Sequence, residues 1–203
     1  MMKPFWENEY KDLDKSTFGN PSKEVEEIVP FLPEGAKILD VGCGDGRHAL
    51  YLAGLGLQVD AFDISENAIA KVDYLKERYH LNINTYICDT LAYEFKYKYD
   101  LVIMHGVLQF IEREKQPQTI ELLKKWTNEN GYHIAALFTD EEPVPEDLKD
   151  VMIGVFKSGE IKDYYKDWQI KWFESRKFND EHENGVKHCH AMNKIVAKKP
   201  AEE

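Results

Sequence analysis

The stretch that decides the fold is Lys37-Ile-Leu-Asp-Val-Gly-Cys-Gly-Asp-Gly-Arg47, an apolar strand that leads into three glycines and then a helix. Glycine adopts backbone angles that other residues resist, and it lets a ligand approach the main chain closely. The helix N-terminus behind the turn presents free N–H groups and a positive potential, which suit a carboxylate or a phosphate. The segment therefore predicts a strand, a ligand-binding turn and a helix.

The spacing of Gly42, Gly44 and Gly46 distinguishes two kinds of nucleotide site. A dinucleotide fingerprint has glycines at its first, third and sixth positions, whereas here Arg47 takes the sixth. Asp40 precedes the turn and would repel a pyrophosphate. The same carboxylate suits S-adenosylmethionine, because that cofactor carries an ammonium group and a sulfonium. A glycine-rich turn that binds no ligand is the simpler alternative.

Two more carboxylates follow predicted strands, at the edge where open parallel sheets bind ligands. Asp63 ends the second strand, about 20 residues after the glycine loop, where a carboxylate can accept both ribose hydroxyls. Asp89 ends the third strand and is placed to accept from an adenine amino group. Taken singly, Asp63 could simply precede a helix capped by Ser65, and Asp89 could be a loop residue. Together with the glycines they predict a nucleoside site whose further members are Asp40, Ile64, Cys88 and Thr90.

Strands and helices alternate along the chain, which favours a mostly parallel sheet covered on both faces. Helices are predicted at about 22–32, 45–55, 67–79, 113–128 and 158–165, and strands at 37–41, 58–62, 84–88, 100–104, 132–138, 168–177 and 188–198. Asn184-Gly185 between the last two strands is typical of a hairpin turn. We expect all 203 residues to form one domain, with an N-terminal lid and helix at 1–33 and a lid or insert at 139–167.

Asp40-Val-Gly-Cys-Gly-Asp-Gly46, Asp63 and Asp89 resemble the first three motifs of the class I S-adenosylmethionine-dependent methyltransferases. Tyr99-Asp-Leu-Val-Ile103 resembles their strand-four motif. The resemblance runs from about residue 20 to residue 139. It implies a Rossmann-like sheet of seven strands with helices on both faces and an antiparallel C-terminal hairpin, and it implies S-adenosyl-L-methionine as the cofactor.

Several stretches are also similar to the tellurite-resistance methyltransferases (the TehB-like family), namely Gly44–Ala53, Phe156–Trp168 and the N-terminal Trp6, Tyr10 and Phe18-Gly19. This resemblance implies methyl transfer to a small molecule or an inorganic oxyanion, with a tellurite- or selenite-like acceptor as the first interpretation. The family places basic residues and histidines near the closing hairpin. No arginine follows Arg176 here, so the chain departs from that pattern, and a histidine-lined pocket is the alternative.

His188 and His190 are the candidate catalytic residues. They stand two apart on a predicted strand, so both face one side and Cys189 faces the other. They would hold the acceptor or accept a proton; a polar outer face or weak metal binding is the alternative, and no metal site is predicted. Methyl transfer mainly needs an oriented nucleophile and exclusion of water. A general base is needed only where the acceptor carries a proton.

Three further residues are candidate cofactor contacts. His105 follows the fourth strand beside the expected methyl position, and Arg47 lies in the first turn of a helix, where it could pair with the cofactor carboxylate. Tyr10, with Trp6, would fold over the cofactor as an N-terminal lid. The corresponding alternatives are a loop residue, a partner for a nearby acid, and an aromatic anchor.

The chain is acidic, with 26 Lys+Arg against 37 Asp+Glu and a net charge of -11. Such a surface repels phosphate backbones, so no nucleic-acid partner is predicted and a small molecule is favoured. We expect no membrane partner and a cytoplasmic location, because no apolar run spans a bilayer and the N-terminus lacks a signal-peptide stretch. Cys43, Cys88 and Cys189 have neither zinc-ligand nor disulfide spacing, which fits a reducing compartment. No oligomeric state is predicted.

Two rival functions stay open. A non-catalytic S-adenosylmethionine-binding protein would share every cofactor residue, so only turnover distinguishes it. A nicotinamide-dependent oxidoreductase is disfavoured by Arg47 at the position of the fingerprint's third glycine, and titration with a nicotinamide cofactor distinguishes it.

Overall fold

The computed structural model describes residues 6–17, 19–181 and 187–202. Its strands are β1 (Lys37–Val41), β2 (Gln58–Asp63), β3 (Ile83–Ile87), β4 (Tyr99–His105), β5 (Thr127–Phe138), β6 (Gln169–Glu181) and β7 (Lys187–Lys198). Its α-helices in the described residues are α1 (Trp6–Glu9), α2 (Lys23–Ile28), α3 (Arg47–Gly54), α4 (Glu66–Tyr79) and α5 (Gln116–Lys125). None of these helices has both the length and the apolar character that crossing a bilayer requires.

The seven strands form one sheet in the order β3-β2-β1-β4-β5-β7-β6. The pairs among β1 to β5 are parallel, whereas β7 runs antiparallel to both β5 and β6. This topology confirms the predicted seven-stranded sheet with an antiparallel C-terminal hairpin. The chain first adds strands on one side of β1 and then continues on the other with β4. Ligands in open α/β sheets bind at the carboxyl ends of the strands at such a reversal.

Each face of the sheet packs on its own apolar cluster. Successive residues of a strand point to opposite faces, so Ile38 belongs to one cluster and Leu39 to the other. The first cluster joins the sheet to α2, α3 and α4, and the second joins it to α5 and to the segment after β5. Burial on both faces explains why the strands read as nearly continuous apolar runs.

Several predicted boundaries were wrong, and the helix predicted at 158–165 is a 3-10 helix over Glu160–Tyr165. Three of the differences have a clear local reason. The first helix becomes a 3-10 turn at Val29–Phe31, because Pro30 has no N–H to continue the α-helical pattern. β3 ends at Ile87, because the Asp89 carboxylate accepts the Leu91 N–H and starts a 3-10 turn. The helix predicted over 113–128 covers only α5, because Thr127 already pairs with Tyr99 as part of β5.

The segment between β5 and β6, predicted as a lid or insert at 139–167, is anchored at several points. Thr139 forms a bridge with Phe156, and the Phe156 N–H donates to the Phe138 carbonyl oxygen. Phe156, Ile161 and Tyr165 are fully buried in the second apolar cluster. This segment therefore forms a wall beside the carboxyl end of β5 and the amino-terminal part of β7, which runs antiparallel to it.

Candidate cofactor and acceptor site

The glycine loop between β1 and α3 requires its three glycines. Gly42, Gly44 and Gly46 have φ angles of 62°, 54° and 82°, in the left-handed region. A Cβ on Gly42 would lie 2.7 Å from Val107 Cγ2, and a Cβ on Gly46 would lie 2.7 Å from Val72 Cγ2. Glycine at these positions therefore allows close approach of the β4 loop and of α4.

Asp40 stands near the carboxyl end of β1, directly before this loop. It is 1% exposed, and its Oδ2 has no hydrogen-bond partner in the described part of the chain. Burial raises the pKa of Asp40 to about 7, although the nearby Arg47 guanidinium opposes that shift. A buried carboxylate with an unsatisfied oxygen fits a cationic ligand such as an ammonium group and does not fit a pyrophosphate.

Asp63 links the end of β2 to the glycine loop. Its Oδ2 accepts the Gly44 N–H at 2.8 Å, and its Oδ1 accepts the Ser65 N–H at 2.9 Å. Burial raises the pKa of Asp63, and both backbone bonds oppose that rise. The Ser65 hydroxyl in turn accepts the Ala68 N–H and caps α4. Because a carboxylate offers about four acceptor positions, Asp63 keeps capacity for hydroxyl donors.

The predicted adenine contacts lie at the next strand end. The Cys88 N–H donates to the Asp63 carbonyl oxygen at 3.0 Å, which brings β3 and β2 together there. Asp89 is exposed and caps the turn at Thr90–Ala92, so its carboxylate is already partly engaged. Ile64 is 71% exposed beside Asp63 and supplies apolar surface of the kind a base can cover. Thr90 is half-buried.

The N-terminal leader, residues 6–17, lies against this site. Tyr10 is buried, and its surroundings raise the pKa of its phenol, through burial first and then through Asp63 and Asp45. Asn67 Nδ2 donates to the Glu7 carbonyl oxygen at 3.2 Å and to Glu7 Oε2 at 3.0 Å. The role of Tyr10 as a lid over the cofactor stays a prediction. The side chain of Trp6 and all of Phe18 fall outside the described structure.

A buried ion pair fastens the leader, and sequence reasoning missed it. Lys71 Nζ lies 3.2 Å from Asp45 Oδ2, with side chains 1% and 2% exposed. The same carboxylate oxygen accepts the Thr17 N–H at 2.6 Å, and Lys71 donates to the Lys15 carbonyl oxygen at 2.5 Å. The available signal was a lysine at an inward-facing position of α4.

His105 and Arg47 belong to a second buried polar cluster. Arg47 Nη2 lies 2.9 Å from His105 Nδ1. Glu24 Oε1 lies 3.4 Å from His105 Nε2, and Lys194 Nζ lies 2.9 Å from that same carboxylate oxygen. Burial alone would raise the pKa of Glu24, but the neighbouring His105 ring and the hydrogen bond from Lys194 hold it well below its usual range. Arg47 therefore contacts a histidine, and α2 is tied to β7; Glu24 and Lys194 were not predicted.

His190 is buried and Cys189 is exposed, so the two lie on opposite faces, as the strand alternation predicted. The His190 ring packs 4.9 Å from the Phe138 ring and 5.4 Å from the Phe178 ring, measured between centroids. The alternative of a polar outer face is therefore wrong for His190. The side chain of His188 lies outside the described structure. In the described residues no cluster of His, Cys, Asp and Glu has the size of a metal site.

Two further polar groups near this wall were missed. Gln109 follows the β4 loop, is 1% exposed, and has no hydrogen-bond partner among the described residues for either amide atom. The buried Thr139 hydroxyl likewise has none within the described ranges. Gln109 interrupts the apolar run Val107-Leu-Gln-Phe110, which reads as core, and that interruption was the only signal in the sequence.

The chain was compared with known proteins. Residues 5–196 match the family model described as "Tellurite resistance protein TehB". A probable S-adenosyl-L-methionine-dependent methyltransferase TehB of Haemophilus influenzae is 40% identical over 136 residues, which cover 66% of this chain and 46% of that protein. This chain therefore spans about half the length of the curated relatives it matches.

Two solved structures are similar to this fold. The crystal structure of TehB from Haemophilus influenzae has a TM-score of 0.81 and 30% identity, covering 96% of this chain and 67% of that one. The N-methyltransferase NodS from Bradyrhizobium japonicum, solved with S-adenosyl-L-homocysteine, has a TM-score of 0.67 and 14% identity, covering 97% of this chain and 99% of that one, and supports the fold alone. The family match, together with the seven-stranded topology, shows that this chain belongs to the TehB family of tellurite resistance proteins.

Proposed function

We propose that this chain catalyses S-adenosylmethionine-dependent methyl transfer to a small acceptor. The observation that carries the proposal is the buried Asp40 carboxylate beside the glycine loop, with one oxygen unpaired among the described residues. An ammonium group satisfies that oxygen, whereas a second anion would be repelled. Membership of the TehB family supports the same cofactor, because relatives in that family are described as probable S-adenosyl-L-methionine-dependent methyltransferases.

Each residue near the loop has a role in this proposal. Asp40 holds the cofactor's ammonium group, Asp63 accepts its ribose hydroxyls, and Asp89 accepts from its adenine amino group. Ile64, Cys88, Thr90 and His105 line the cofactor, and Arg47 orients His105 through their 2.9 Å contact. Tyr10 covers the site from the leader. When bound, the cofactor supplies a methyl group that its positively charged sulfur has activated, so the protein mainly orients the acceptor and excludes water.

The acceptor implied by the family's description is a tellurite- or selenite-like oxyanion. Such an acceptor attacks through a lone pair and needs no general base. The net charge of -11 disfavours nucleic acid as the substrate. A reducing compartment such as the cytoplasm fits the free cysteines Cys43, Cys88 and Cys189.

Calorimetry tests the cofactor. Titration should show binding of S-adenosylhomocysteine and of S-adenosylmethionine, and none of NAD. Tight NAD binding without a response to either adenosyl ligand would overturn the proposal. Production of S-adenosylhomocysteine, measured with each acceptor against a protein-only blank, then separates an enzyme from a non-catalytic binding protein, which binds the cofactor without turnover.

A further inference from the structure

His105, the last residue of β4, lies between two groups of opposite charge. Arg47 Nη2 is 2.9 Å from its Nδ1, and Glu24 Oε1 is 3.4 Å from its Nε2. The Glu24 carboxylate in turn pairs with Lys194, whose Nζ donates to Oε2 at 3.1 Å. Side chains from α2, α3, β4 and β7 therefore meet at this ring, which connects the closing hairpin to the helix that follows the glycine loop.

The two charges select one form of the His105 ring. A guanidinium has only N–H donors and keeps its charge in proteins, so Nδ1 must present its lone pair to Arg47. The proton of the neutral ring is then on Nε2, where it faces the Glu24 carboxylate. Both Nε2 and Glu24 Oε1 are buried and form no hydrogen bond within the described residues, so a proton between them satisfies both atoms.

The ring is also held uncharged. Burial lowers the pKa of His105, the Glu24 carboxylate opposes that shift, and Arg47 and Lys194 add to it. His48 of α3 packs against the ring with centroids 5.0 Å apart, and burial lowers its own pKa to about 2, so it adds no charge. An uncharged ring matters at the end of β4, because a further positive charge there would repel the cofactor's sulfonium.

We propose that Glu24 and Lys194 are positioning residues for the methyl donor and act through His105. Glu24 holds the ring from its Nε2 side while Arg47 holds it from the other, and Lys194 neutralises Glu24 and ties it to β7. This rests on the proposed function, in which His105 lines the cofactor. Because the two charges of the pair cancel, the site tolerates S-adenosylmethionine, which carries one more positive charge than S-adenosylhomocysteine.

The first test observes the ring in the native protein without ligands. Histidine ¹⁵N spectra, with His105 assigned from a His105→Gln variant, should show a proton on Nε2 and none on Nδ1 from pH 6 to pH 8. His80, exposed at the end of α4, gives the reference spectrum of a solvated ring. A His105 ring with its proton on Nδ1, or one that gains a second proton in this range, would overturn the inference.

The second test compares S-adenosylmethionine with S-adenosylhomocysteine by calorimetry. Glu24→Gln removes the anion but keeps an oxygen for the Nε2–H, so the affinity ratio should shift by about threefold or more toward S-adenosylhomocysteine. Lys194→Met removes the cation, so the ratio should shift by about as much toward S-adenosylmethionine. The protein with both substitutions should return to about the native ratio. Glu27→Gln, at an exposed position of α2, is the matched control and should keep the native ratio.

A purely structural ion pair predicts a different result. Both single variants would then melt at a lower temperature and bind the two ligands in the native ratio, which would overturn the inference. Shifts of the ratio in the same direction in both variants would overturn it as well. In either case the native chain still binds both adenosyl ligands, so the proposed function stands. A native chain that binds neither ligand contradicts the proposed function itself, and this inference falls with it.

Discussion

Two parts of this sheet edge are built over very different sequence distances. The cofactor side lies at the ends of β1 to β3, and the acceptor side lies where the closing hairpin strand β7 meets β5. On the cofactor side, Asp63 reaches the glycine loop across 19 residues, and the buried pair Lys71–Asp45 spans 26. On the acceptor side, the buried pair Lys194–Glu24 spans 170 residues. Both pairs fasten an N-terminal segment to the body of the domain: Lys71–Asp45 joins the leader to α4 and the glycine loop, and Lys194–Glu24 joins α2 to β7. The comparison teaches that the cofactor half is specified by local motifs, whereas the acceptor half exists only once the hairpin has closed.

The largest expected effect concerns the ion pair of the cofactor side. Lys71→Met should lower the free energy of unfolding by about 3–5 kcal/mol, because it leaves the buried Asp45 carboxylate without its cation. Urea unfolding followed by circular dichroism measures the loss.

Lys23→Met is the matched control, since the Lys23–Glu27 pair is 81% and 65% exposed and should contribute less than about 1 kcal/mol. Lys194→Met extends the test to the acceptor side. Equal losses for Lys71→Met and Lys23→Met would show that burial of the pair does not stabilise the leader.

The second prediction concerns the ribose carboxylate. Asp63→Ala should weaken S-adenosylhomocysteine binding by about 1.5–3 kcal/mol for each charge-assisted hydrogen bond lost, several kcal/mol at most, as measured by calorimetry. The fold should survive, because Asp63 stands at a strand end. Asp63→Asn keeps one acceptor oxygen and should lose less. A folded Asp63→Ala protein with unchanged affinity would place the ribose elsewhere.

The third prediction concerns the closing hairpin. Replacing both His188 and His190 with alanine should lower turnover at least tenfold on the true acceptor and leave cofactor affinity almost unchanged, because the cofactor carboxylates lie on other strands. Steady-state kinetics and calorimetry measure the two quantities, and a thermal melt checks folding. Wild-type turnover at every pH would remove both histidines from the site.

The smallest effect is a pH dependence of cofactor affinity. Burial raises the pKa of Asp40 to about 7, so the carboxyl is increasingly neutral below that pH. An ammonium ligand needs the ionised form, and the dissociation constant for S-adenosylhomocysteine should therefore rise about tenfold as the pH falls from 8 to 6. Asp40→Asn should abolish this dependence, and a dependence that persists in that variant would assign it to another group.

The raised pKa of Asp40 also makes the free energy of unfolding depend on pH. Because the folded protein holds the Asp40 proton more tightly than the unfolded chain does, the stability contributed by this group is greatest below pH 3.8 and declines as the pH rises to about 7. Unfolding measured in that window, with Asp40→Asn as the reference, isolates the contribution.

The sequence predicted the fold well, because the signals for its strands and turns are local. Strand β1 and the positions of Gly42, Asp40 and Asp63 follow from apolar runs, turn residues and spacing. The helix ends were less predictable: α5 ends early because Thr127 pairs with Tyr99, a contact between strands that periodicity does not contain.

The acceptor side was only partly predictable. Strand alternation correctly placed His190 and Cys189 on opposite faces without saying which face is buried, and no local pattern pairs Glu24 with Lys194. Gln109 and Thr139 looked like ordinary residues of a turn and a loop, and only their burial without partners distinguishes them. Such properties arise from packing between distant segments, so they become visible only in three dimensions.

The fastening of the leader has a consequence for exchange kinetics. Thr17 and Lys15 are held by the Asp45–Lys71 pair at one end of the leader, and Tyr10, nearer its start, is the residue proposed to cover the cofactor. If Tyr10 covers the cofactor as proposed, a spent cofactor would leave when this short segment opens, which would break a few contacts and leave the sheet intact. The frequency of that local opening would then limit catalytic turnover. Lys71 would then control cofactor release: a stronger ion pair with Asp45 would retain the cofactor longer, and a weaker one would allow faster release.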